Sequence, residues 1–358
     1  AVQACLSGTP ASQFRGGSSI MKKDVEVLCR EKLGQLLGIR ETERIFFTSG
    51  ATESMNTVLG GLDYGEKGSS ILVTQTEHNS VLRPVYNLEQ LREHPVLVAK
   101  CTINGTVTEE APDSRVLIVN HCSNVTGCVQ DMEMIREFVK RHGLILIVDV
   151  SQSAGCIPVD ADKWEADALI FTGHKSLMGI QGTGGFYVRS GIELKPLKYG
   201  GTGRNSAQLT YENKDYEYEV GTQNMPGITG LLAGAEFIEQ TGLAAIMEKE
   251  DRLMEMLYCG LEQIEGVRIY GNHDVCRGPV MSLNFQGLKA SDAAYILESG
   301  YGIIVRSGLH CSPLIHKAMG TEEGGTVRVS VSWFTEEKDI KEFLGAAKEI
   351  AASVARNI

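Results

Sequence analysis

Short apolar runs alternate with segments of helical periodicity along the first half of the chain. The runs hold four or five mostly apolar residues each, at positions 44–48, 70–74, 116–119, 144–148 and 168–171. Continuous apolar runs are typical of parallel strands that are covered on both faces. Apolar residues at helical spacing, as in residues 21–37 and 132–139, lie between them. The pattern predicts an α/β protein built on a mostly parallel sheet.

The second half of the chain has a different organisation. We expect an irregular region from Tyr187 to Glu219, followed by one long helical region over about residues 228–264. Further on, the pattern predicts strands at 280–285 and 327–331 and helices at 291–299 and 336–354. We therefore predict a large domain over residues 17–232 and a smaller α+β domain that consists of residues 233–358 together with the N-terminal residues 1–16.

The composition narrows the range of functions. The 358 residues carry a formal net charge of −11, which disfavours non-specific binding to nucleic acid. The nine cysteines include no Cys-x-x-Cys pair, so we predict neither a disulfide framework nor a metal site. No apolar stretch is long enough to cross a membrane, and no signal peptide is apparent. We therefore expect a cytoplasmic protein without a membrane partner.

Polar side chains gather where the predicted strands end. In open parallel sheets, ligands bind beyond the carboxyl ends of the strands. The residues at or just after these ends are Thr52, His78, Asn124, Asp149, Gln152, His174 and Lys175. Their shared placement predicts one ligand site at this edge of the sheet.

Three of these features suit a single cofactor. Lys175 precedes a glycine-rich run; it is either a surface charge or an amine whose burial makes it a nucleophile for Schiff-base chemistry. Asp149 ends an apolar run and either caps the next turn or pairs with a cationic group. Residues 49–54 form either an ordinary helix cap or an anion cradle. A lysine, a carboxylate and an anion cradle together specify pyridoxal 5′-phosphate (PLP).

The motifs also resemble a known family. The class-V aminotransferase fold is suggested by the segments SGATE (49–53), TEHNS (76–80), VDVSQ (148–152) and TGHK (172–175). The segment RSGLHC (306–311) resembles the active-site cysteine segment of type II cysteine desulfurases. The resemblance implies a PLP-dependent transferase of fold type I. Its large domain would carry a mostly parallel seven-stranded sheet, beside a smaller α+β domain.

The resemblance implies a role for each cofactor residue. Lys175 would carry PLP covalently, and Asp149 would pair with the pyridine nitrogen. His78 would stack on the ring and take part in proton transfer, while Gln152 would bond the ring hydroxyl. The phosphate would be held by Ala51 (through its backbone), Thr52, Thr172, His174 and, from the other subunit of a homodimer, Thr222.

The resemblance also implies a substrate site. Asn124 and Arg328 would bind the carboxylate of L-cysteine, Arg328 through two parallel hydrogen bonds, and Arg306 is a further candidate. Cys311 would accept the sulfur as a persulfide and leave L-alanine. Arg306 and His310 would favour its thiolate. The persulfide would then pass to an acceptor protein or a small thiol.

Two departures from the family pattern keep other activities open. Leu309 stands where type II members usually have histidine, and the Asn-Ala-Ala segment of the family's first strand does not occur in this sequence. Selenocysteine lyase, cysteine or cystine C–S lyase and aminotransferase activities are the alternatives, because a fold does not fix a function. Lys175, Asp149 and His78 together disfavour a non-enzymatic role.

Overall fold

The computed structural model describes residues 1–3, 20–65, 68–99, 114–201, 209, 218–271 and 278–356. Its larger sheet contains β1 (Ile45–Thr48), β2 (Ser70–Thr74), β3 (Val96–Ala99), β4 (Ser114–Asn120), β5 (Ile145–Asp149), β6 (Ala168–Thr172) and β7 (Gly184–Val188). The strands lie in the order β1-β7-β6-β5-β4-β2-β3. The pairs from β3 through β6 are parallel, and β7 runs antiparallel to β6 and β1. The predicted mostly parallel, seven-stranded α/β architecture is confirmed.

Helices cover both faces of this sheet. They are α1 (Ile20–Leu37), α2 (Ala51–Gly61), α3 (Asn79–Arg92), α4 (Met132–His142), α5 (Ala161–Trp164), α6 (Met225–Thr241) and α7 (Leu243–Glu262). Alternate residues of one strand enter different apolar clusters: Leu146 and Val148 of β5 lie in one, Ile145 and Ile147 in the other. Each central strand is therefore buried on both sides, which explains its continuous apolar sequence.

The C-terminal part of the chain forms a second, smaller sheet. It contains β8 (Val267–Tyr270), β9 (Val280–Phe285), β10 (Arg306–Gly308) and β11 (Thr326–Ser330), in the antiparallel order β10-β11-β9-β8. The helices here are α8 (Ala290–Tyr301), α9 (Pro313–Met319) and α10 (Glu337–Ala355). A third apolar cluster joins α7, α8 and α10 to this sheet. The exact domain limits, 17–232 and 233–358 with 1–16, stay a prediction.

Two expectations about single elements are wrong. The helical region over 228–264 is two helices, because Gly242 adopts a φ of 86° between α6 and α7. Tyr187 and Val188 belong to β7 rather than to an irregular region; residues 202–208 and 210–217 of that region lie outside the described part. No helix among the described residues is both long and apolar enough to cross a membrane.

Candidate active site

The carboxyl ends of the parallel strands surround a cavity of about 510 Å³. Its lining includes nine of the predicted residues: Ala51, Thr52, His78, Asn124, Asp149, Gln152, Thr172, His174 and Lys175. Thr222 is exposed and does not line the cavity of its own chain. A surface cleft of about 690 Å³ beside α1 is larger, but it is open to solvent, and Arg40 and Asp162 in its lining pair with each other.

One end of the cavity is an anion cradle. Gly50 is the N-cap of α2 and provides no capping side chain, so the N–H groups of the first turn remain for a ligand. Glu53, which could repel an anion, accepts hydrogen bonds from Ser49 N (2.9 Å) and Ser49 Oγ (2.5 Å) and pairs with Lys198. Close to Gly50 in the same lining, Thr172 Oγ1 lies 3.0 Å from His174 Nδ1. This end can hold a phosphate group.

Lys175 and Asp149 define the chemistry of the cavity floor. The Lys175 amine donates to Gln152 Oε1 at 3.2 Å. The pKa of Lys175 is lowered, mainly because protein atoms displace water around the amine, although the charge of Asp149 opposes this shift. Asp149 is buried, and its Oδ1 accepts a hydrogen bond from Ser151 N at 2.8 Å. A buried carboxylate held in this way can pair with a cationic ring nitrogen.

His78 occupies the N-cap of α3, and its role there fixes the ring. Its Nδ1 accepts a hydrogen bond from Ser80 N at 3.0 Å, so the proton of the neutral ring is on Nε2. The pKa of His78 is lowered, chiefly by burial, although Asp149 opposes the shift. His78 is therefore a neutral imidazole at neutral pH, which suits stacking on an aromatic ring and moving a proton.

The smaller sheet brings the cysteine loop to the cavity. Cys311 is exposed, and its carbonyl oxygen accepts a hydrogen bond from Asn79 N at 2.7 Å. Asn124 Nδ2 donates to His310 O at 2.8 Å, and Arg328 Nη1 donates to Asn124 O at 2.9 Å. The structure therefore brings the two predicted carboxylate-binding residues together beside the predicted sulfur acceptor. Arg306 lies exposed on the edge strand β10.

One expectation about this loop is wrong. Burial is the main cause that lowers the pKa of His310 to about 4, and its Nε2 lies 3.0 Å from Thr326 O. His310 is therefore neutral at physiological pH and bonded to the backbone of β11. It does not supply the positive charge that was expected to favour the Cys311 thiolate.

Three further residues of this region were missed. Cys122 lines the cavity, and Glu77 lies fully buried next to His78. Both residues follow the end of a strand, so the rule that predicted Thr52, Asp149 and Lys175 as site residues applies to them as well. Burial raises the pKa of Cys122 well above the usual thiol value, so this thiol stays protonated. Ser312 donates from Oγ to Asn124 Oδ1 at 2.8 Å. No sequence signal marks Ser312, because the bond joins residues that are 188 positions apart.

Comparison with known proteins gives this arrangement a family. The family model of the class-V aminotransferases matches residues 8–343. The chain belongs to this family. A relative from Methanothermobacter thermautotrophicus, named "Probable cysteine desulfurase", is 33% identical over 95% of this chain and 88% of its own length. Among solved structures, a cysteine desulfurase from Thermococcus onnurineus NA1 has a TM-score of 0.86 and 30% identity, over 95% of this chain and 87% of its own. A cysteine desulfurase from Escherichia coli has the same TM-score of 0.86 at 25% identity, over 99% of this chain and 90% of its own.

The residues of this class-V aminotransferase chain fit the cofactor that the family implies. PLP needs an amine, a phosphate cradle and a carboxylate. The cavity provides the amine of Lys175, the uncapped first turn of α2 and the buried carboxylate of Asp149. Since all three line one cavity at the carboxyl ends of the strands, the chain is an enzyme of a PLP-dependent fold.

Proposed function

We propose that this protein is a PLP-dependent cysteine desulfurase, which converts L-cysteine to L-alanine and transfers the sulfur to Cys311. One observation carries the proposal. The exposed thiol of Cys311 stands on a loop whose backbone is bonded to Asn124, and Asn124 lines the same cavity as Lys175. A lyase or an aminotransferase has no need of a thiol at this position. The desulfurase names of the relatives support the same activity.

The cavity residues divide the acid–base work. PLP, when bound, supplies an electron-accepting ring. Lys175 would hold it and then move the Cα proton of the substrate, for which the lowered pKa makes the neutral amine accessible. Asp149 would keep the proton on the pyridine nitrogen, and Gln152 would bond the ring hydroxyl. His78 would stack on the ring and assist the proton transfer. Ala51, Thr52, Thr172 and His174 would hold the phosphate.

Arg328 and Asn124 would bind the substrate carboxylate. Arg328 Nη1 is bonded to Asn124 O, whereas its buried Nε has no hydrogen-bond partner among the described residues. A buried donor without a partner is costly, and a carboxylate would satisfy it. Burial lowers the pKa of Arg328, but the ordinary value of arginine is so high that the side chain stays cationic. Its positive charge therefore suits an anion. Arg306, exposed on β10, would attract the substrate at longer range.

Cys311 would carry out the sulfur transfer. Its thiolate attacks the substrate sulfur, an S–S bond forms, and the bond between the substrate sulfur and Cβ breaks. The electron pair of that bond is protonated at Cβ, which leaves alanine. The balance is L-cysteine plus the Cys311 thiol giving L-alanine plus the Cys311 persulfide. An acceptor protein or a small thiol would then take the persulfide sulfur.

The setting of the enzyme belongs to the same proposal. A homodimer would let Thr222 of one subunit reach the phosphate of the other, and the exposed apolar side chains of Ile180, Leu197 and Tyr199 would contact the partner at the proposed dimer surface. Ile180 adjoins Gln181, which lines the cavity. The cysteines within the described ranges are free, in keeping with a reducing compartment such as the cytoplasm.

Product analysis tests the proposal. Purified enzyme with PLP, L-cysteine and a thiol reductant should give alanine and sulfide in equal amounts. Cys311→Ala should lose this turnover, whereas Cys259→Ala, which removes another exposed thiol, should keep it. Pyruvate and ammonia from wild type and Cys311→Ala alike would instead indicate a C–S lyase. Preferential turnover of selenocysteine without need of Cys311 would indicate a selenocysteine lyase.

A further inference from the structure

The side chain of Asn124, which lines the cavity, bonds to the loop that carries Cys311 at two points. Asn124 Nδ2 donates to the carbonyl oxygen of His310 at 2.8 Å, and Ser312 Oγ donates to Asn124 Oδ1, also at 2.8 Å. Both ends of this amide thus hold the residues directly before and after Cys311. Asn124 is 6% exposed and Ser312 is fully buried, so water competes little for these bonds.

The backbone of the loop needs such support. His310 and Cys311 adopt φ values of 48° and 59°, in the left-handed region that is unfavourable for residues with a Cβ atom. Two consecutive residues of this kind persist only where the surrounding contacts hold them. The contacts include the two bonds to Asn124, the bond from Asn79 N to Cys311 O and the bond from His310 Nε2 to Thr326 O. The hydroxyl of Ser312 is the donor from the loop side chains that reaches Asn124, whereas the His310 ring bonds to Thr326 of β11.

The same amide has a donor left for a substrate. A carboxamide nitrogen carries two hydrogens, and His310 O takes one of them from Asn124. The other is available for a carboxylate, and Arg328, which would bind the same carboxylate, is held nearby by its bond to the backbone oxygen of Asn124. Asn124 can therefore hold the substrate and the cysteine loop at once. The carbonyl oxygen of His310 can only accept, so it faces the nitrogen end of the amide, and the Ser312 hydroxyl donates to the oxygen end.

We propose that Ser312 is a positioning residue, which acts through Asn124 to set the place of Cys311 relative to the carboxylate of the bound substrate. The inference rests on the proposed function, which gives Asn124 and Arg328 to that carboxylate. Ser312 itself touches neither substrate nor cofactor. Its loss should leave substrate binding nearly unchanged and slow the sulfur transfer, because the thiol is less often in reach of the substrate sulfur.

Kinetics and hydrogen exchange of the PLP-loaded enzyme test this role. Ser312→Ala should lower kcat roughly fivefold, the loss expected for one buried hydrogen bond, with KM for L-cysteine within about twofold of wild type. Amide exchange should rise in the peptide around residues 309–312 and stay unchanged in β4. L-alanine, a probe that has the carboxylate but no sulfur to transfer, should slow this exchange in wild type and have less effect in Ser312→Ala.

Three further variants keep the inference refutable. Ser312→Thr retains the hydroxyl and should recover kcat. Asn124→Ala removes the other half of the tether and should release the same peptide, even if Ser312→Ala does not fold. Ser70→Ala is the matched control, since it removes a buried hydroxyl that is 2.7 Å from Ser114 Oγ in the large sheet. Equal behaviour of Ser312→Ala and Ser70→Ala in kcat and exchange would overturn the inference. Absence of alanine from wild type would refute the proposed function, and the exchange data would still decide the role of Ser312.

Discussion

Replacement of Glu77 by glutamine should remove part of the pH dependence of the stability of this protein. Glu77 is fully buried between the end of β2 and the start of α3. Its Oε1 accepts hydrogen bonds from Thr74 Oγ1 at 2.5 Å and Asn120 N at 2.8 Å. Its Oε2 is buried and has no hydrogen-bond partner in the described part of the chain. One carboxyl oxygen is therefore stabilised as an acceptor, and the other is not.

Burial is the main cause that raises the pKa of Glu77 from 4.5 to about 8, and the negative charge of Asp149 adds to it, while the two hydrogen bonds oppose it. Between these two values the folded protein keeps a proton that the unfolded chain has lost. The folded state thus binds more protons, and the free energy of unfolding falls as the pH rises through this window. At about 1.36 kcal/mol per pH unit and per proton, the loss between pH 6 and pH 8 is about 2 kcal/mol.

Glu77→Gln cannot ionise, so this contribution should disappear. The amide oxygen can accept both existing bonds, whereas the new NH₂ group would lie where Oε2 has no partner, at a pH-independent cost of about 1–3 kcal/mol. The difference in unfolding free energy between wild type and Glu77→Gln should therefore shift by about 2 kcal/mol from pH 6 to pH 8, in favour of the variant.

Urea unfolding followed by tryptophan fluorescence measures this difference. PLP should be removed from both proteins, since cofactor binding would add its own pH dependence. Glu137→Gln, which replaces an exposed carboxylate on α4, is the control and should follow wild type at every pH. If wild type and Glu77→Gln differ in unfolding free energy by the same amount at pH 6 and pH 8, Glu77 is already ionised at neutral pH. This result would contradict the reasoning from burial.

Two further predictions concern the substrate and the dimer. Arg328→Lys should raise KM for L-cysteine about tenfold, because a lysine cannot form two parallel hydrogen bonds to a carboxylate. Arg306→Lys, on the exposed strand β10, is the control and should change KM little. An unchanged KM in Arg328→Lys would show that Arg328 does not bind the carboxylate. Tyr199→Glu should shift sedimentation towards the monomer and weaken PLP binding, since Tyr199 is 76% exposed on the proposed dimer surface. Tyr295→Glu, 71% exposed on α8, should remain dimeric, and a dimeric Tyr199→Glu would place the interface elsewhere.

The sheet was predictable wherever strands bury both faces. The apolar runs of β4, β5 and β6 supply residues to two clusters at once, and no other arrangement explains five consecutive apolar positions so simply. Strand β7 was not predicted from the sequence, because it begins with Gly184 and Gly185. A Cβ on Gly185 would lie 2.4 Å from Phe46 O, and one on Gly184 2.6 Å from the Cα of Gly50. The strand is glycine-rich because its neighbours come too close for side chains, and glycine is a signal against strands in local sequence.

The cavity was predictable for a related reason. Parallel strands bring all their carboxyl ends to one edge, so residues far apart in sequence reach one cavity once the strands are recognised. Thr52, Asp149 and Lys175 were found in this way, and Cys122 and Glu77 satisfy the same rule. What the rule cannot provide is the protonation of each group. The neutral state of His310 follows from its burial against Thr326, which is a tertiary contact without a local signal.

The contact between the two sheets could not be predicted from the sequence. Asn124 follows a strand of the large sheet and Ser312 precedes a helix beside the small one, and the position of Cys311 depends on the bond between them. Neither residue type is unusual for a turn, since asparagine and serine both cap turns by themselves. Their pairing has consequences because one residue borders the proposed sulfur acceptor and the other lines the cavity. Relatives with the same cysteine segment but no hydroxyl after the cysteine would have to support the left-handed backbone at Cys311 by other contacts, so the motif alone does not predict how the thiol is held.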